Sequence, residues 1–280
     1  MNAVLWGNGI GNFVMTTPFI QNLKNPTIFI PKADPRREAI ESISPFPVKI
    51  FEHEDDFSRY DKVYQMWCSP KIDGKNVVRQ PKPRLHDWNC GHESDLYLSL
   101  LKNPIKYPPK IEVDGGWKIH KAPSEKIIAL SNGANPSWLN KQLPENILNN
   151  LVERLREEYI VVFFGGKDEK KMGKRLEDKY NILNFAGKMG LKESISTMKQ
   201  CGTLITTDSG LMHCAGAVGM NLVCLWGCTI WDKNRPLGQG KITKVSGDCP
   251  KAPCYGKPYM YDCKKNVCME INVDKIMEVL

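Results

Sequence analysis

No stretch of eighteen consecutive apolar residues occurs in this 280-residue chain, so no segment predicts a membrane-spanning helix. The opening Met1-Asn2-Ala3-Val4-Leu5-Trp6 lacks a positively charged n-region and a cleavage site. It predicts a first strand rather than a signal peptide, and a protein that stays in the cytoplasm. Internal repeats and low-complexity segments are missing too. Hydrophobic residues at 41% and charged residues at 25% are ordinary globular values and argue against disorder.

What is present narrows the reading. The length suits one large domain or two small ones. The formal charge is +8, from 39 Lys+Arg against 31 Asp+Glu. That fits an anionic partner such as a nucleotide diphosphate, a phosphorylated glycan or nucleic acid, and equally an inert lysine-rich surface. Ten cysteines in a chain of this length without an export signal point to reduced thiols or a metal site rather than disulfides.

In the first half, short apolar strands are expected at Val4-Leu5-Trp6, 27–30, 48–51 and 62–66. Helices are expected over 13–23, 35–43 and 93–101, the last with Leu96, Leu100 and Leu101 on one side. Residues 69–90, rich in Pro, Lys and Asp, read as a long loop. Prolines and Gly115-Gly116 break the chain between 104 and 123, and a domain boundary is placed there. In the second half, strands are expected at 127–130, 160–164, 203–206 and 222–226. Helices are expected over 144–157, 167–180, 192–200, 209–218 and 273–280. Strands of continuous apolar residues alternating with helices predict parallel sheets covered on both faces. Ligands bind such sheets at the carboxyl ends of the strands.

The most informative stretch is Thr206-Thr207-Asp208-Ser209-Gly210-Leu211-Met212-His213. A strand ends at about Thr207 and a helix begins at about Ser209. The free N–H groups of a helix start can hold an anion. Gly210 lets a ligand approach the backbone, and His213, four residues after Ser209, shares its face. The plainer alternative is that Asp208 or Ser209 caps the helix and His213 is a core histidine. The glycine turn Gly7-Asn8-Gly9-Ile10-Gly11-Asn12 is a poor dinucleotide fingerprint. Its third glycine falls one residue early, and no acidic residue ends the second strand.

The match extends around the central stretch. Asn184-Phe185-Ala186-Gly187-Lys188-Met189-Gly190-Leu191 precedes it. Ala215-Gly216-Ala217-Val218-Gly219 and Leu225-Trp226-Gly227-Cys228-Thr229 follow it. Upstream lie Ser131-Asn132-Gly133-Ala134 with Lys141 and Pro144, then Phe164-Gly165-Gly166-Lys167-Asp168-Glu169. Gly9-Ile10-Gly11-Asn12 with Thr16-Thr17-Pro18, and the helix from His92, complete the order. Together these resemble glycosyltransferase family 9, the ADP-heptose:lipopolysaccharide heptosyltransferases, over most of the chain.

The resemblance implies a GT-B architecture: α/β, two Rossmann-like domains with parallel sheets facing across a cleft. Residues 1–116 would bind the acceptor. Residues 117–280 would bind the nucleotide sugar and include a cysteine-rich segment, 249–268. The implied activity is inverting, metal-independent transfer of a heptose-like sugar from a nucleotide-diphosphate donor, ADP-heptose-like, to a glycan hydroxyl. Implied donor residues are Gly133, Lys141 on the diphosphate, Glu169 on the ribose, Met189 near the base, and Asp208, Ser209, Gly210 and His213 at the phosphates or sugar. Lys141 and Glu169 also fit plain surface charges, and Met189 fits plain core.

One departure stands out. The family's base position carries Asn12, and an amide takes up no proton at neutral pH. His92 and Glu93 are substitute candidates, with His86, Asp87 and Asp95 behind them. The usual Arg or Lys of the first loop is absent as well, with Trp6, Gly7 and Asn8 there. A different acceptor, a protein or a phage-type modified nucleic acid, therefore stays open. So do a catalytically silent sugar-nucleotide or glycan binder, a sugar-nucleotide epimerase of the same architecture, and a peripheral membrane contact. Cys249, Cys254, Cys263 and Cys268 fit a structural zinc or iron site by donor chemistry, though their spacing is wide. Some protein-modifying relatives in the family carry a four-cysteine iron site near the C-terminus. Free thiols or two disulfides are the alternatives.

Overall fold

A computed structural model describes residues 1–7, 9–52, 57–66, 69–80, 91–119, 122–133, 139–261, 263 and 266–280. The chain divides into two units, Met1–Glu112 and Val113–Leu280.

The first unit is a five-stranded parallel sheet. Its elements run β1 (Asn2–Leu5), α1 (Ile10–Ile20), β2 (Pro26–Pro31), α2 (Arg37–Ile43), β3 (Val48–Phe51), β4 (Lys62–Gln65), β5 (Val77–Arg79) and α3 (Glu93–Leu98). The strand order is β3-β2-β1-β4-β5. The chain winds outward one way from β1 and then returns to its other side, so the topological switch point lies between β1 and β4. β5 falls inside the stretch expected to be all loop. It is three residues long and, among the described residues, pairs only with β4, too short to show an alternating pattern.

α1 is buried around most of its circumference, with Phe13 to Ile20 all enclosed. Pro18 has no N–H for the Val14 carbonyl. The Thr17 hydroxyl donates to that carbonyl instead, at 2.8 Å, and accepts from Lys110 N at 2.8 Å. α3 does not bury the expected leucine face. Its buried side is Glu93, Ser94, Tyr97 and Leu98, because the Tyr97 ring packs on Trp6, 6.1 Å between centroids. Polar contacts of Glu93 come with it.

The second unit holds a six-stranded parallel sheet. Its elements are β6 (Ile127–Ser131), α4 (Glu145–Leu155), β7 (Ile160–Phe163), α5 (Lys170–Tyr180), β8 (Leu183–Asn184), α6 (Leu191–Met198), β9 (Thr203–Thr207), α7 (Gly210–Ala217), β10 (Asn221–Trp226), α8 (Trp231–Asn234), β11 (Ile242–Ser246), α9 (Pro258–Tyr261) and α10 (Val273–Met277). The order is β11-β10-β9-β6-β7-β8. β6 is buried throughout, as are β9 and β10 beyond their first residues, as strands covered on both faces must be. The switch point is between β6 and β9. No helix is long and apolar enough to cross a membrane among the described residues.

Candidate functional site

The carboxyl ends of β6 and β9 are adjacent strand ends, and of the sequence-predicted residues Gly133, Lys141, Asp208 and Ser209 gather there, with Glu169 against Gly133. β6 runs out into Asn132-Gly133 and β9 into Asp208-Ser209. The Thr207 hydroxyl donates to the Gly133 carbonyl at 2.8 Å and ties the two exits together. Asn132 is fully buried. Its side chain accepts from Leu143 N at 2.7 Å and donates to Leu143 O at 3.2 Å. That clamp returns the chain to the sheet just after the 3-10 turn Leu139–Lys141.

Lys141 Nζ then reaches Asp208 Oδ2 at 2.8 Å, and the Thr229 hydroxyl donates to the same oxygen at 2.8 Å. Burial by itself would raise the Asp208 pKa. The Lys141 ammonium, His213 and the hydrogen bonds from Lys141 and Thr229 outweigh it, so the carboxyl titrates below its ordinary value. Lys141 and Asp208 are thus a charged pair with little solvent around it: the two side chains are 19% and 9% exposed.

Glu169 is buried, and its Oε2 accepts from Gly166 N at 2.8 Å. Burial is the main cause holding its pKa above the ordinary value, against the Gly166 bond. A Cβ at Gly165 would stand 2.6 Å from Glu169 Cβ, so this glycine leaves the space that lets Glu169 fold back. Gly133 lies against the carboxylate: a Cβ there would meet Glu169 Cδ at 3.4 Å. Lys141 and Glu169 are therefore not solvated surface charges.

Ser209 is the N-cap of α7, and its hydroxyl accepts from Met212 N at 3.4 Å. The cap is thus present, as the plainer alternative expected. The serine fixes the start of a helix whose first residues, Ser209, Gly210 and Leu211, are only half-buried. His213 is buried on the same helix. Met189 is half-buried rather than core, and Thr197 Oγ1 lies 3.5 Å from its sulfur.

In the first unit, the switch point leads from β1 through the glycine turn into α1. The Asn12 side-chain amide donates to Glu93 Oε1. Tyr97 Oη donates to the same oxygen at 2.7 Å. Burial, and next the Glu93 charge, push the Tyr97 phenol well above its ordinary pKa. So Asn12, half-buried, and Glu93, buried and 81 residues away in the chain, belong to one cluster. His92 caps α3, its Nδ1 accepting from Ser94 N at 3.0 Å, so that nitrogen is committed to the backbone. Asp95 pairs with Lys106 at 2.7 Å. His86 and Asp87 lie outside the described residues. A cation does reach the first loop: Arg36 Nη2 stands 3.5 Å from the Gly7 carbonyl while Nε and Nη2 fork onto Asp34 at 2.8 Å each. Arg36 precedes α2, far from the loop in sequence, which is why motif reading missed it. Asn132, Thr207 and Thr229 were also not singled out as site residues. Their signal was faint, since buried hydroxyls and amides at strand ends look like ordinary polar punctuation.

Cys249, Cys254, Cys263 and Cys268 are free thiols. Burial first, and then the other three thiols, push Cys268 up to about 12. Burial, then Cys263 and Cys249, raise Cys254. The four therefore share one neighbourhood, and four soft sulfurs are suitable donors for zinc or iron. Among the described residues no three His, Cys, Asp or Glu side chains stand close enough to hold an ion as placed.

Lipooligosaccharide heptosyltransferase 2 of Haemophilus influenzae is 33% identical over 121 residues, 38% of this chain and 35% of that protein. The matched stretch thus spans about a third of that relative's length. The fold is similar to Escherichia coli ADP-heptose lps heptosyltransferase II, with TM-score 0.68 at 16% identity, covering 99% of this chain and 97% of that one. It is also similar to the dodecameric iron-containing heptosyltransferase TibC of enterotoxigenic E. coli, solved in complex with ADP-D-beta-D-heptose. There the TM-score is 0.65 at 11% identity, covering 99% of this chain and 75% of that one. These likenesses show the fold, a GT-B-type pair of parallel α/β units. The family model for glycosyltransferase family 9 (heptosyltransferase) matches residues 112–265, more than half of the sequence, and the chain belongs to that family.

Proposed function

We propose that the protein is an inverting glycosyltransferase that moves a heptose-like sugar from a nucleotide-diphosphate donor, ADP-heptose-like, to a hydroxyl of a glycan acceptor. The observation that carries this reading is the convergence of Lys141, Asp208, Glu169 and the start of α7 at the β6–β9 switch point. A diphosphate leaving group gathers negative charge as the glycosidic bond breaks. An ammonium and a helix N-terminus fixed beforehand stabilise that charge without reorganisation. Asp208 holds Lys141 ready, and Glu169 accepts hydrogen bonds from the ribose hydroxyls. Met189 offers a polarizable sulfur to the base. The Lys141 ammonium and the start of α7 are the groups that would face the leaving diphosphate.

The acceptor half of the reaction belongs to the first unit. In a single displacement the acceptor oxygen attacks the anomeric carbon, the bond to phosphate breaks, and the acceptor proton needs a base. Asn12 cannot take it. Glu93, hydrogen-bonded to Asn12 and Tyr97, is the carboxylate we assign to that task. The four C-terminal thiols would hold a structural zinc or iron ion, which would brace their segment and take no part in transfer. Metal content of purified protein, compared with a Cys263→Ser variant, checks that assignment.

Asn12 favours one rival, a binder without transferase activity. Incubation with ADP-heptose and a heptose-bearing glycan separates them. Transfer requires release of ADP with appearance of a heptosylated product, in EDTA as well as without it. Donor binding with no ADP release over long incubation would establish the rival. Loss of release in EDTA would remove the metal-independent part of the reading.

A further inference from the structure

The donor reading leaves the cysteine-rich segment without a part in binding. We infer that this segment positions Lys141, acting through Asn266, and so sets the affinity for the donor diphosphate; the inference rests on the donor site proposed above.

Lysine carries a long stem with large rotamer freedom, so the Lys141 ammonium keeps its place on Asp208 only if both the carboxylate and the backbone it starts from are fixed. The backbone around Lys141 is gripped from two sides. On one side Asn132 holds Leu143. On the other, Asn266 Nδ2 donates to the Gln142 carbonyl at 2.8 Å, across 124 residues of sequence. Cys268 Sγ lies 3.9 Å from the Asn140 carbonyl. The residues before and after Lys141 thus both lean on the cysteine segment.

Asn266 is suited to the task. Its backbone is left-handed, φ 46° and ψ 31°, a conformation Asn tolerates better than most residues. It opens the 3-10 turn Val267–Met269, whose last N–H returns to the Asn266 carbonyl at 2.9 Å. Cys268 and Met269 in that turn are buried. The same turn is packed tightly on the loop after β10. A Cβ at Gly227 would stand 2.6 Å from Met269 Sδ and 3.0 Å from Cys268 Sγ. The next carbonyl, of Cys228, accepts from Cys254 N and Tyr255 N at 2.9 Å each. Thr229 follows, and its hydroxyl holds Asp208. One segment therefore grips both backbone stretches whose side chains meet at Asp208 Oδ2.

The test is calorimetric titration of the full chain with ADP and with AMP. Asn266→Asp keeps the left-handed residue and its shape but loses the amide donor. Asn266→Gly keeps the backbone conformation and adds no charge. Both are expected to weaken ADP binding about threefold to tenfold, the worth of one hydrogen bond, and to leave AMP binding unchanged. Combined with Lys141→Met, either substitution should cause no further loss, since residues acting through one another are not additive. Unchanged ADP affinity in both single variants overturns the inference, as does full additivity with Lys141→Met. A wild-type protein that binds no ADP overturns the donor reading, and this inference with it.

Discussion

At the switch point of the second sheet, Lys141 pairs with Asp208 beside the start of α7, and Glu169 lies against Gly133 just beyond β6. At the switch point of the first, the same topology leads to an amide hydrogen-bonded to a buried carboxylate beside a tyrosine. Two parallel sheets of one plan thus carry different chemistry at equivalent places. In the proposed reading the second holds an anion: Lys141 is paired with Asp208, and the Glu169 carboxylate rests on the Gly166 N–H. In the same reading the first supplies the proton acceptor, Glu93, buried and hydrogen-bonded to Asn12 and Tyr97. The fold supplies the location in both cases, and the side chains decide what is done there.

That contrast can be broken or sharpened by substitution. The largest effect is expected in the first unit. Glu93→Gln keeps an oxygen that can accept from Asn12 and Tyr97, so the fold should survive. Loss of the base should lower kcat about 10²–10⁴-fold, with ADP affinity untouched. A kcat within twofold of wild type would remove Glu93 from the reaction. In the second unit, Lys141→Met should show the opposite pattern. ADP affinity is expected to fall about tenfold to a hundredfold, as for a hydrogen bond to a charged group, and AMP affinity much less. Ser209→Ala removes the cap of α7 and should cost about 1 kcal/mol of stability in chemical denaturation.

The smallest effect concerns Glu169 and has a definite sign. Its folded pKa lies above the unfolded value because burial disfavours the charged form. Such a group contributes stability while protonated in the fold, and that contribution is lost as pH rises from its unfolded pKa through the raised folded pKa. Glu169→Gln should therefore raise Tm at neutral pH, with the gain fading as pH falls below the ordinary carboxylate range. It should weaken donor binding at the same time, the usual opposition between a binding site and stability. Asp208 runs the other way. Its lowered pKa means its contribution is present above the unfolded value and is lost as pH falls through the folded one.

Much of the second unit was legible in the sequence because its strands β6, β9 and β10 are central and buried on both faces, giving continuous apolar runs. The residues proposed for the donor were legible mainly where they sit at a strand end or helix start, as Gly133, Asp208 and Ser209 do, because residue type and position constrain one another there. β5, β8 and β11 were not. Among the described residues they are edge strands, paired on one side, short or half-exposed, and their patterns resemble those of loops. The buried face of α3 was misjudged because its leucines suggested the face, while packing of Tyr97 on Trp6 decided it. The Asn12–Glu93 bond, the clamp of Asn132 on Leu143 and that of Asn266 on Gln142 depend on the chain returning from a distance. No local spacing encodes such returns.

The most direct test of the central claim is hydrogen exchange of the wild-type chain with and without ADP. Diphosphate held at the β6–β9 switch point should slow exchange at residues 131–133, 139–143 and 207–213, and leave the turn between β1 and α1 as it was. Protection confined to that first-unit turn, with residues 207–213 exchanging at the same rate in both states, would contradict the account.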